Sequence, residues 1–133
     1  MKNILKISLV GVLLAGGAAA KPGLRDVTVI EEGLFTITVA DKIRRECGTI
    51  AGRLFKAQRK MREMADHAVS LGYTEAEIRA YVDSGTEKTR TRARRDAYLS
   101  SKGVVKSSPE TYCAVGRSEI QKSSQIGGLL RAR

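Results

Sequence analysis

Few residues in this sequence could carry covalent or acid–base chemistry, and their spacing narrows the choice. There are two cysteines, Cys47 and Cys113, and a single histidine, His67. Neither cysteine has a neighbour at metal-ligand spacing, so no metal and no cofactor are expected. In an exported small domain an even number of cysteines reads as a disulfide, here with one possible intramolecular pairing. His67, in "ADHAVSLGY", falls beside the apolar seam of a helix near its end, where it suits a helix-surface or dipole role better than catalysis. The sequence has no Gly-x-Ser-x-Gly elbow, no phosphate-binding glycine loop with lysine and no His-Glu-x-x-His, which removes the commonest hydrolase and nucleotide readings. Paired carboxylates are defined in space, so Glu46, Glu63, Glu75, Glu77, Glu87 and Glu119 stand as candidates for a peptidoglycan-directed hydrolase. Glu77 and Glu87 already have capping roles, however, and Glu63 stands four residues from Arg59 as an ordinary helix pair. No catalytic residue is assigned.

The chemistry that remains is electrostatic. The stretch "EKTRTRARRD" holds Lys88, Arg90, Arg92, Arg94 and Arg95 within residues 87–96, and the whole chain has a formal net charge of +10. Such a balance favours anionic partners. Read as a helix, the stretch puts Lys88, Arg92 and Arg95 near one stripe and Arg90 and Arg94 on another, leaving Ala93, Ala97 and Tyr98 to face the core. Its plainest reading is a solvated face. The alternatives are an anionic protein, a lipid headgroup or lipopolysaccharide. Lipid binding by this stretch would be superficial and salt-sensitive, because few large apolar residues oppose its charges. Nucleic acid is disfavoured: Tyr98 is the one aromatic interleaved with the charges, and export removes the usual target.

Export is read from the start of the chain. "MKNILKISLVGVLLAGGAAA" has Lys2 and Lys6, an apolar run from Ile7, and the small residues Ala18, Ala19 and Ala20. This predicts a secretory signal peptide cleaved between Ala20 and Lys21, with a periplasmic or secreted product. The run is too short and too rich in glycine to suggest a span, and no transmembrane segment is expected in the mature chain. The chain beyond Ala20 is long enough for one small domain. With no Trp and two Phe, its core must rest on aliphatic residues and would gain from a staple. Closing a loop of roughly 65 residues between Cys47 and Cys113 stabilises by about 4 kcal/mol in the chain-entropy picture.

Residues 21–33, "KPGLRDVTVIEEG", carry turn residues at both ends around a β-prone core and are left unassigned. From there Ala40, Ile43, Cys47, Ile50, Leu54, Ala57, Met61, Met64, Ala68 and Leu71 recur at spacings of three and four, predicting one helix from about Leu34 to Leu71 or two abutting near Gly48. Its outer side is basic, with Arg53, Lys56 and Lys60 added to the candidate anion-binding surface. Gly72 stops it. Thr74 with Glu77, and Ser84 with Glu87, mark capping boxes opening helices at 75–83 and about 85–102. Gly103 closes the second of these. Pro109 opens the last helix, which carries Tyr112, Cys113, Gly116 and Ile120 on one side, and "SSQIGGLLRAR" adds a small apolar cluster. The expected fold is all-α: a single helical domain over residues 34–133, with Cys47 on the long helix bonded to Cys113 on the last.

Through "IRRECGTIAGRLFKA", "LGYTEAEIRAYVDS", "YLSSKGV", "PETYCAVGRSEI" and "SQIGGLLR" the chain resembles an uncharacterised family of small exported alphaproteobacterial proteins. The resemblance runs from about Leu34 to Arg131 and includes both cysteines. It implies export and a shared single domain, and it brings no activity, because the family is known only as a domain of unknown function. The leading expectation is a non-enzymatic envelope module that binds an anionic partner through its basic surface.

Overall fold

In a computed structural model, residues 20–133 are described; the predicted leader, apart from Ala20, lies outside them. The fold is all-α, with helices α1 (Thr28–Glu46), α2 (Leu54–Ser70), α3 (Glu75–Asp83), α4 (Gly85–Ser101) and α5 (Pro109–Gln121). A small antiparallel pair, β1 (Ile50–Gly52) and β2 (Leu130–Ala132), completes it. Among the described residues no helix is long and apolar enough to cross a membrane.

Helix α1 is the hub, packed against α2, α4 and α5. It begins inside the unassigned lead-in, because burial overrides the β preference of "VTVI". Leu24 in a preceding 3-10 turn, Val27 and Ile30 are buried with Met64 and Ala68 of α2. A second, larger cluster forms at the other end of α1, from Val39, Ala40 and Ile43 to Leu99 of α4, Tyr112 and Val115 of α5, and Ile126, Leu129 and Leu130. The two clusters grip opposite ends of one helix.

Of the two expected forms, one helix over 34–71 or two abutting near Gly48, the chain does break near Gly48, but its halves are separated by residues 47–53 instead of abutting. After Glu46 the chain turns through Cys47, Gly48 and Thr49 into β1 and re-enters helix at Leu54. The break changes the phase of the seam. Ile43, Cys47, Ile50, Met64 and Ala68 remain buried, whereas Leu54 and Met61 are 59% and 47% exposed. β1 pairs with β2 so that Ile50 meets Ala132 and Gly52 meets Leu130, and Arg53 N–H extends the pairing to the Leu129 carbonyl at 2.7 Å. The C-terminal apolar residues, read as a local cluster, are therefore part of the main core and of a strand.

The predicted disulfide is present. Cys47 follows the last turn of α1, just outside the helix, with its N–H on the Ile43 carbonyl, and is bonded to Cys113 of α5 across 66 residues of chain. Alongside, α5 approaches so closely that a Cβ on Gly116 would lie 2.4 Å from Cδ1 of Ile50. The local stop and start signals act as read. Gly72 and Gly103, at φ near +90°, end α2 and α4, and in each case the next N–H reaches back five residues, Tyr73 to Ala68 and Val104 to Leu99. Thr74 and Glu77 form a full capping box, and Pro109 stands in the first turn of α5. The second box is half formed: Ser84 accepts from Glu87 N–H, while the Glu87 carboxylate is engaged elsewhere.

Candidate functional site

Helix α4 turns part of its basic run inward. Of the residues expected to face the core, Tyr98 does so, while Ala93 and Ala97 are exposed; Arg90, Arg94 and Leu99 join Tyr98 on the packed side. The reason lies in α1, which presents Glu31 and Glu32 along the contact. Arg90 donates to Glu31 at 2.7 Å and to Glu87 at 2.9 Å, and Tyr81 of α3 donates to Glu31 at 2.6 Å. Arg25, ahead of α1, also pairs with Glu87. Arg94 donates to Glu32 at 2.6 Å with its guanidinium 4.2 Å above the Phe35 ring, which meets Tyr98 edge-on. Thus α1, α3 and α4 are joined by a charged seam.

The electrostatics of that seam are those of an ion-pair network. Burial acts to raise the Glu31 carboxyl, but hydrogen bonds from Arg90 and Tyr81 outweigh it and hold the group below the ordinary carboxylate range. The Arg25 hydrogen bond lowers Glu87, and the Lys21 hydrogen bond lowers Glu77. Farther along the same side of α4, buried Glu119 of α5 accepts from the Tyr98 hydroxyl at 2.5 Å. Burial opposes its charge, yet hydrogen bonds from Ser124 and Tyr98 and the nearby Lys122 leave it lowered, while burial and Glu119 push the Tyr98 phenol up to about 12.

The other candidate carboxylates are likewise engaged or solvated. Glu46 accepts from Lys42, Glu63 pairs with Arg59, and Glu75 is exposed in the first turn of α3. His67 is half-exposed near the end of α2, where its carbonyl accepts from Ser70. Among the described residues no group of three metal-ligating side chains forms.

The remaining cations of the run split. Arg95 pairs with Asp96 at 2.8 Å and Lys88 lies 3.9 Å from Asp83, while Arg92 has no carboxylate within 4 Å among the described residues. They line a groove of about 310 Å³ against α1, but Asp41 and Glu87 line it too.

The basic face of α2 is different. Its first turn contains no acid, and among the described residues Arg53, Lys56, Lys60 and Arg62 have no carboxylate within 4 Å. Arg53 Nε donates to the Leu130 carbonyl at 3.0 Å and Lys60 to Gln125 at 3.4 Å, contacts that hold the stems without neutralising the charge. Strand pairing sets Arg131 opposite Ala51, and a trough of about 440 Å³ runs past Arg53, Leu54, Phe55, Lys56 and Arg131 with no acid in its lining. On the other side of Leu54 lies a more apolar groove of about 260 Å³ between α1 and α2. The sequence reading placed Arg53, Lys56 and Lys60 in the basic surface and missed Arg131, Leu54 and Phe55. The glycine at 48 was the available signal, since a break there frees the residues after it from the seam.

No curated protein and no solved structure matches the chain. Residues 22–131, including the lead-in that supplies Glu31 and Glu32, match the family of unknown function DUF5333, and the chain belongs to that family.

Proposed function

We propose that the protein is an exported, non-enzymatic envelope module that binds an anionic partner, a protein or a lipid headgroup, through the basic face of α2 and β2. The observation that carries this reading is the segregation of charge. The seam between α1 and α4 matches its cations with acids, whereas Arg53, Lys56 and Arg131 around one trough, and Lys60 one turn along α2 from Lys56, remain unmatched among the described residues. Unneutralised cations on a rigid face attract an anionic surface and steer its approach. The disulfide is in keeping with life outside the cytoplasm. Against the carboxylate-pair hydrolase stands the direction of the perturbed carboxyls: Glu31, Glu77, Glu87 and Glu119 are all lowered, whereas a glycosidase's general acid needs a raised one.

The test is elution from immobilised polyglutamate along a salt gradient. The mature chain is retained at low salt and released as salt rises, Lys56→Glu with Lys60→Glu elutes markedly earlier, and Arg92→Glu with Arg95→Glu shifts it less. Equal elution of all three proteins, or the opposite order, overturns the assignment of the face.

A further inference from the structure

We infer that the start of α2 is a docking point for an anionic lipid surface, with Phe55 as the inserted side chain. This rests on the reading of the basic face above and names its partner. Phe55 leaves 87% of its surface in solvent and Leu54 beside it 59%, an unusual exposure for the first turn of a helix whose later turns bury Met64 and Ala68. The two apolar side chains do not stand alone. Arg53 and Lys56 flank them in sequence, Arg131 reaches the same trough from β2, and none of the three has a carboxylate within 4 Å among the described residues.

That combination fits a lipid interface in two ways. A protruding aromatic ring sits favourably at headgroup depth, and diffuse cations around it are drawn to anionic headgroups without needing counter-charges at fixed positions. A second copy of the chain is a poor occupant, because apposed copies would bring the same cations against each other. A shaped protein pocket for Phe55 would ask for ordered polar contacts around it. Lys56 makes none within the fold, and Arg53 spends one nitrogen on the Leu130 carbonyl, leaving its guanidinium tip for the headgroup.

The experiment uses the mature chain with vesicles of phosphatidylcholine alone and of phosphatidylcholine mixed with phosphatidylglycerol. The sequence has no tryptophan, so Phe55→Trp installs a single reporter. Its emission shifts to the blue with the mixed vesicles and not with the neutral ones, while the same reporter at exposed Val105→Trp, in the turn after α4, stays unshifted. In cosedimentation Phe55→Ser, which leaves the charge unchanged, lowers affinity for the mixed vesicles about fivefold or more, and Lys56→Glu lowers it by about tenfold. Retention on polyglutamate without vesicle binding, or vesicle binding indifferent to Phe55, overturns lipid docking and leaves the basic-face reading standing. Failure to bind either polyglutamate or vesicles overturns both.

Discussion

Helix α4 carries five cations over eight residues, Lys88 to Arg95, and α2 with its preceding Arg53 carries five over ten, Arg53 to Arg62, yet the molecule uses them in opposite ways. On α4 four of the five have an acid within 4 Å, and Arg90 and Arg94 reach across to α1. On the α2 stretch only Arg59 does, at 3.7 Å and well exposed. The difference comes from the neighbour. The side of α1 facing α4 presents Glu31 and Glu32, and the partner of Arg53 is strand β2, which contributes Arg131. A dense basic run is therefore a poor guide to unneutralised charge, and the sparser run, with a single exposed acid pair, keeps more of it.

The largest expected effect breaks the comparison at its support. The face containing Arg53 and Arg131 exists because β1 meets β2, and Cys47, three residues before β1, is tied to Cys113. Replacing both cysteines by serine should lower unfolding stability by about 4 kcal/mol, read from urea midpoints with and without reductant, and reduction of the native chain should reproduce it. Next, Arg90→Gln should destabilise by about 2 kcal/mol, since it leaves the half-buried Glu31 without its charge-assisted partner. Arg62→Gln on α2 should stay within about 0.5 kcal/mol. Equal losses at the two positions would erase the distinction between the helices.

A smaller effect sharpens the inward side of α4. Tyr98→Phe removes the donor to buried Glu119 and should cost about 1–2 kcal/mol near neutral pH. The Tyr98 phenol titrates higher in the fold than in the unfolded chain, so its contribution is complete below about pH 10 and fades as pH rises through about 12. Alkaline loss of stability should therefore shrink in Tyr98→Phe. The lowered carboxyls work in the other direction: the stability from Glu31, Glu77, Glu87 and Glu119 is present above about pH 4 and disappears as pH falls below it. Thermal melts across pH measure both limbs. Smallest of all, a double-mutant cycle on Arg59 and Glu63 should give a coupling below about 0.5 kcal/mol, whereas Glu31 with Arg90 should exceed 1 kcal/mol by roughly a factor of two.

Much of the architecture was legible in advance. The starts of α3, α4 and α5 and the stop of α4 were read from Thr74, Ser84, Pro109 and Gly103, because capping acts through hydrogen bonds that span three to five residues. The disulfide followed from there being only two cysteines to pair. Ala93 and Ala97 were misread because helical periodicity sorts residues by polarity, and here arginines form the packed side once acids face them. Phe55 drew no notice for a related reason: it falls outside the three-and-four seam, and periodicity says nothing of a single apolar residue among the cations of the outer side.

Local chemistry, then, determined from sequence alone an all-helical chain, its later helix boundaries, the cysteine pair and a basic excess. Tertiary structure decided three things the linear chain could not express. It drew Thr28, Val29 and Ile30 into α1, with Val27 as its cap, by burying Val27 and Ile30 against α2. It widened the break suggested by Gly48 into residues 47–53, so that β1 could pair with a strand some eighty residues away. And it sorted the cations, pairing those that meet α1 with its acids and leaving most of those on α2 without a carboxylate within 4 Å among the described residues. Each depends on contacts between residues distant in sequence, where neither propensity nor periodicity carries information.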